Sequence, residues 1–296
     1  MTSEQEHLTP KALAALELPD EERIAYINRD RWIGYPVAQE VERRLESLLA
    51  HPKVQRMPNL LLVGDTNNGK SSMVKRFARK HLGEAKFDEE TNLVPVLYVE
   101  IGPAPDEDSF YSDILVSLLA PFKYSMSVAQ KREEVYRMFR YVGVRLIIVD
   151  EIHNMLATRR DKQQALLNAI KRMGNVMQVP IVGVGIKDAA RAIHTDPQMA
   201  NRFEPYSLPI WRNDKDFLRF LVSFERLVPL KHPSQLVSST LARKILAMSE
   251  GRLGEITQLL KRAAVHAVES RREKIDAKTL DDIDWVAPSK RRSALD

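Results

Sequence analysis

Leu60 to Val63 is an apolar run that reads as a buried strand, and it opens directly into Gly64-Asp65-Thr66-Asn67-Asn68-Gly69-Lys70-Ser71-Ser72. This is the G-x-x-x-x-G-K-[ST] pattern in its required context, after a strand and before a helix. Gly64 and Gly69 let the backbone turn tightly, so that its N–H groups face phosphate oxygens. Asn67 and Asn68 are the non-glycine types that best tolerate left-handed backbone angles. The helix starting near Lys70 points its positive end at the anion. Gly64 to Ser72 are therefore the candidate nucleotide-binding residues. Lys70 is expected to reach the β- and γ-phosphates, and the Ser71 hydroxyl to ligate Mg²⁺.

A second pattern fits the first. Leu146-Ile147-Ile148-Val149 is another apolar run, and it ends in Asp150-Glu151. In P-loop ATPases an aspartate at such a strand end holds Mg²⁺, usually through water. The acid after it is placed to polarise the attacking water. Asp150 is thus the candidate metal and nucleotide residue, and Glu151 the candidate catalytic base beside Lys70. His153 lies just beyond, as a loop histidine.

The remaining chain alternates strands with helices. Further strands are expected at Val94 to Ile101, Val179 to Val184 and Tyr206 to Trp211, with helices at Lys70 to Leu82, Asp108 to Phe122, Val128 to Val142 and Lys162 to Met173. Asp88 to Asn92 reads as a polar loop. Alternation of this kind argues an α/β fold with a parallel sheet covered on both faces. Helices are also expected at Glu21 to Arg29 and Val37 to Ala50 before the sheet. After it, strands stop and Asp214 to Leu227, Ser239 to Met248, Leu253 to Arg271 and Ala277 to Ile283 read as helices. The expected domains are a helical N-terminal arm at 1–58, an α/β core at 59–212, a helical lid at 213–285 and a basic flexible tail at 286–296. Trp32-Ile33-Gly34-Tyr35 is an aromatic linker, and Tyr35 could floor an adenine or pack the arm on the core.

Composition narrows the class. The chain has 296 residues, 44% hydrophobic and 29% charged, which suits a globular protein with a sizeable core. The absence of cysteine excludes disulfides and thiolate chemistry and fits a cytoplasmic location. No apolar run approaches a membrane span, so no membrane partner is expected. Net charge is +5, and residues 59–250 hold the excess, 27 Lys+Arg against 22 Asp+Glu. That balance permits a polyanionic partner.

The chain resembles a known family in the words around these motifs. Arg56-Met57-Pro58-Asn59-Leu60-Leu61-Leu62-Val63-Gly64-Asp65 leading into Asn68-Gly69-Lys70-Ser71, Val149-Asp150-Glu151-Ile152-His153-Asn154, and Asn201-Arg202-Phe203 resemble the TniB family, AAA+ ATPases of bacterial transposition related to TnsC and MuB. The resemblance implies a five-stranded sheet of order 5-1-4-3-2 with a helical lid. It also implies an ATP- and Mg²⁺-dependent oligomer, ring or filament, on double-stranded DNA, and recruitment and stimulation of a DDE-type transposase. By the same resemblance Arg202 is the expected arginine finger, with Arg191 as its alternative. Two positions depart from the pattern. No Asn, Ser or Thr ends the fourth strand at Gly183-Val184-Gly185-Ile186-Lys187, and Gly254 stands where a lid arginine is expected, with Arg252 as a substitute. These departures suit slow, regulatory hydrolysis. Lys123, Lys131 and Arg132, or Arg159, Arg160 and Lys162, are the candidate DNA-phosphate contacts. The competing reading is an initiator or helicase-loader type of AAA+ protein. A peptide-remodelling ATPase fits less well, because no aromatic-Gly pore loop stands out after the second strand.

Overall fold

A computed structural model describes residues 7–84, 93–194 and 197–291. Helices come first: Pro10–Ala15 (α1), Asp20–Asn28 (α2) and Pro36–Leu49 (α3). The alternating stretch runs through Asn59–Val63 (β1), Lys70–Glu84 (α4), Val96–Glu100 (β2), Glu107–Ser117 (α5), Val128–Tyr141 (α6) and Leu146–Asp150 (β3). After a 3-10 segment at Ile152–Ala157 it continues with Arg160–Met177 (α7), Ile181–Gly185 (β4), Asp188–His194 (α8), Pro197–Ala200 (α9) and Phe203–Ser207 (β5). Lys215–Leu227 (α10), Ser239–Ser249 (α11), Leu253–Glu269 (α12) and Ala277–Asp282 (α13) follow. The expected loop at Asp88 to Asn92 lies outside the described residues.

The chain divides into two compact units, Val37–Pro209 on the one hand and Met1–Pro36 with Ile210–Asp296 on the other. The stretch expected as one arm, 1–58, is therefore shared between them.

In the first unit five parallel strands pair in the order β2-β3-β4-β1-β5, which is the expected 5-1-4-3-2 read from the other edge. β1, β3 and β4 are buried at every position, because inner parallel strands are covered on both faces. Capping boxes set the starts of the two helices after β2. The Asp106 carboxylate accepts from Ser109 N at 3.0 Å and Ser109 Oγ accepts from Asp106 N at 2.9 Å, while Ser127 and Gln130 do the same for α6. The fifth strand lies upstream of its expected place at Tyr206 to Trp211. Leu208-Pro209-Ile210-Trp211 is the more apolar run, but Trp211 is drawn into the helical core beside Phe217 and Phe220. Phe203–Ser207 pairs with β1 alone, and Pro205 is tolerated there because an edge strand need not donate on both sides.

The helical unit is built on the apolar faces of α10, α11 and α12, with Phe217, Leu221, Ile245, Leu259 and Leu260 in its core and Ile27 of α2 added to them. A buried pair fixes α2. Arg23, 2% exposed, donates from Nη1 and Nη2 to both Glu273 oxygens at 3.0 and 2.6 Å, and from Nη2 to Pro229 O at 3.1 Å. The tail expected to be flexible is docked as far as Arg291. Arg291 Nη1 donates to Glu255 Oε1 at 2.9 Å and its guanidinium stacks on the Trp285 ring, because Glu255 is a buried carboxylate that needs a cation. No helix among the described residues is long and apolar enough to cross a membrane.

Candidate nucleotide-binding site

The site forms where β1, β3 and β4 end together. Gly64 N donates to Gly185 O at 3.3 Å, so the loop leaves the sheet beside the end of β4. A Cβ on Gly64 would meet Leu208 Cβ at 3.1 Å and Lys70 Cδ at 3.6 Å, tight enough to disturb the turn. Asn67 and Gly69 take the left-handed backbone at φ 60° and 84°. This curls the loop so that successive N–H groups converge. Asn68 is buried and donates from Nδ2 to Pro209 O at 3.0 Å, which ties the loop's midpoint to the segment after β5.

Lys70 begins α4 and is buried. Its ammonium donates to Gly64 O at 2.9 Å and Asp65 O at 2.8 Å. Burial lowers its pKa, and the Glu151, Asp150 and Asp65 carboxylates pull the other way. An anion seated in the loop would therefore relieve the desolvation that Lys70 bears. Ser71 and Ser72 follow on the first turn, and Thr66 is exposed on the loop.

Asp150 is buried at the end of β3. Its Oδ2 accepts from Tyr98 Oη at 2.8 Å and its Oδ1 from Glu151 N at 2.9 Å. Burial first, and the Asp150 carboxylate second, push the Tyr98 phenol well above its ordinary range, so it stays a donor. Glu151 takes left-handed angles, φ 57° and ψ 31°, and its carbonyl accepts from Asn154 N at 2.8 Å. Its side chain is 40% exposed. His153 Nδ1 is buried 3.3 Å from Glu151 Oε2 and makes no hydrogen bond among the described residues. Asn154 Nδ2 donates to Ile101 O at 3.1 Å and pins the segment after β3. Among the described residues no group of three or more His, Cys, Asp or Glu is arranged to hold a metal by itself. The donor set of one hydroxyl and one carboxylate fits Mg²⁺, a hard ion that keeps waters and shares substrate phosphates.

Two residues at this site were not singled out in the sequence. Tyr98 orients Asp150 from the neighbouring strand. Lys187, two residues past β4, places Nζ 3.2 Å from Asp65 Oδ1.

The remaining candidates fall in different places. Tyr35 is 7% exposed in the helical unit, with its ring 4.9 Å from that of Trp211. Arg202 precedes β5 and donates from Nη1 to Asn175 Oδ1 at 2.7 Å. Arg191 is exposed on α8 and pairs with Asp188 at 2.6 Å. Arg252 occupies the N-cap position of α12 without a side-chain capping bond, its Nη1 3.6 Å from Glu250 Oε2. Lys131 is corrected. It is 1% exposed and its ammonium donates to both Asp108 oxygens at 2.8 and 2.7 Å, so it joins α5 to α6 and is closed to a phosphate. Arg132 is largely covered, its Nε 3.5 Å from Glu133. Lys123 is exposed in the α5–α6 joint. Arg159 and Arg160 are exposed at the start of α7, Arg159 beside Asp161 at 3.0 Å, and Lys162 pairs with Asp106 at 2.9 Å.

Comparison with known proteins agrees with this architecture. The family model described as "Bacterial TniB protein" matches residues 23–213. Among solved structures, the Aeropyrum pernix ORC1 protein in complex with DNA is similar at a TM-score of 0.64 and 18% identity, covering 87% of this chain and 67% of that one. The Aeropyrum pernix ORC2 protein in its ADPNP–ADP complexes is similar at 0.61 and 15% identity, covering 86% and 69%. A DNA translocase FtsK from Streptococcus pyogenes is 26% identical over 62% of this chain, and the chain spans only 25% of that relative's length. The family match over most of the chain, on a five-stranded P-loop sheet of the AAA+ type, means that the protein belongs to the TniB family.

Proposed function

We propose that this protein is a regulatory ATPase of DNA transposition, which binds target duplex DNA as an ATP-dependent oligomer and recruits and stimulates a DDE-type transposase. The observation that carries the reading is the TniB match over a P-loop and an Asp-Glu strand end that lie together at the C-terminal ends of the inner strands. Gly64 to Ser72 cradle the triphosphate, and Lys70 leaves its two carbonyl partners for the β- and γ-phosphate oxygens. Ser71 and Asp150 would hold Mg²⁺, which when bound would supply positive charge to offset that of the phosphates. Glu151 polarises the attacking water. Arg202 completes the site of a neighbouring subunit. Hydrolysis is slow and sets the lifetime of the assembly on DNA. Lys123, Arg159 and Arg160 are the remaining candidates for contacts to phosphate, which give affinity with little sequence choice.

The second reading, an initiator or helicase-loader type of DNA-binding ATPase, is favoured by the likeness to the two ORC proteins. That likeness supports the fold and leaves the partner open. The purified protein imaged with duplex DNA is expected to form regular assemblies with ATP and none without it, and Lys70→Ala to bind no ATP and form none. Co-sedimentation of a transposase encoded beside this gene with the ATP-loaded assembly is the outcome that separates the two readings. Failure of the wild type to engage DNA at low salt would defeat both.

A further inference from the structure

Asp65 presents a puzzle of sign. It puts a carboxylate in the first turn of a loop shaped to hold phosphates, where like charge opposes the ligand. The structure pairs it with Lys187, whose Nζ is 3.2 Å from Asp65 Oδ1. The position of Lys187 follows from the fold. β4 and β1 end side by side, with Gly64 N on Gly185 O, and the chain turns at once into α8, with Ala189 N on Ile186 O at 2.8 Å and Ala190 N on Lys187 O at 3.2 Å. The ammonium of Lys187 is thereby held over the mouth of the loop.

Which end of a triphosphate that mouth receives can be read from Lys70. The P-loop lysine reaches the β- and γ-phosphates. Its ammonium now rests on the carbonyls of Gly64 and Asp65, so these two residues lie on the β- and γ-phosphate side of the cradle. We propose that Lys187 reads the γ-phosphate of ATP, exchanging its ion pair with Asp65 for the terminal phosphate oxygens. This rests on the reading of the loop as an ATP site and adds the residue that distinguishes ATP from ADP there.

The energetics suit an exchange. Lys187 is 67% exposed and Asp65 30%, and a solvent-facing pair of this kind is worth about 0–1 kcal/mol, so breaking it costs little. A hydrogen bond to an ionised phosphate returns more than that. ADP stops short of the mouth and leaves the Lys187–Asp65 pair closed. The fourth strand ends without an Asn, Ser or Thr, and a cation two residues later supplies the polar contact from a different position.

Calorimetry with a non-hydrolysable ATP analogue and with ADP, both with Mg²⁺, tests this. Lys187→Gln is expected to weaken the triphosphate about tenfold and ADP by less than about twofold, as loss of one charge-assisted hydrogen bond at the γ position requires. Lys187→Arg, which keeps the charge, is expected to retain the preference. A Lys187→Gln protein that melts like the wild type and keeps the wild-type ratio of affinities overturns the proposal, as does equal loss of both nucleotides. The ATP-site reading fails by a different result, wild-type binding of both nucleotides to Lys70→Ala.

Discussion

Glu151 stands in a backbone region that costs a non-glycine residue on the order of 1–3 kcal/mol, and Asp150 Oδ1 on its N–H and Asn154 N on its carbonyl hold it there. That strain at the end of a central strand fits the role proposed for Glu151. Glu151→Gln keeps the shape and removes the base, so nucleotide affinity is expected to stay within about twofold while hydrolysis falls by at least about 10²-fold. Steady-state phosphate release beside calorimetry checks this, and turnover near wild type would move the water-polarising role to another residue. Asp150 and Glu151 were legible because they are contiguous with their strand. Tyr98 and Lys187 were not, because each acquires its role from a partner far away in sequence that only the sheet order brings near. The left-handed backbone at Asn67 was legible as a residue preference, whereas that at Glu151 carried no such signal.

At the scale of elements, the charge run after β2 shows what a linear reading misses. Lys123, Lys131 and Arg132 look alike in sequence, yet Lys131 lies on the face of α6 that meets α5 and finds Asp108 there. Lys131→Ala is expected to lower stability by about 1–2 kcal/mol, at the low end for a charged hydrogen bond because the half-exposed Asp108 can be rehydrated. It should leave the salt dependence of DNA binding unchanged, whereas Lys123→Ala should reduce the log–log salt slope by about 1. Thermal melting and binding titrations at several salt concentrations separate the two residues. A lowered slope with unchanged melting in Lys131→Ala would restore it to the candidate DNA contacts. The strands were legible where burial is complete, as at β1, β3 and β4. The fifth was misplaced because an edge strand with Glu204 and Pro205 carries less apolar signal than the Leu208-Pro209-Ile210-Trp211 run after it. Trp211 belongs instead to the helical core, which a local pattern does not reveal.

At the scale of the whole molecule, the proposed oligomer would make one subunit's chemistry depend on another. Asn59 N donates to Arg202 O at 3.2 Å, which puts Arg202 at the start of β1, and the P-loop begins only after that strand has ended. Five strand residues span about 17 Å, so the backbone of Arg202 lies at the far end of the sheet from its own P-loop. Its guanidinium rests on Asn175 of α7. An arginine so placed can serve an adjacent subunit's γ-phosphate far more readily than its own, and ATP would then join protomers. An arginine finger contributes about 10³-fold or more to turnover. Arg202→Ala is therefore expected to bind ATP nearly normally, to hydrolyse it about 10³-fold more slowly, and to assemble poorly on DNA. Assembly of the wild type should weaken steeply with salt, because Lys and Arg displace counterions from the phosphate backbone. Sedimentation with ATP and duplex DNA at two salt concentrations, beside a turnover assay, reads all of these outcomes. If Arg202→Ala assembles and hydrolyses like the wild type, the finger is elsewhere, and Arg191, exposed on α8, is the next residue to replace.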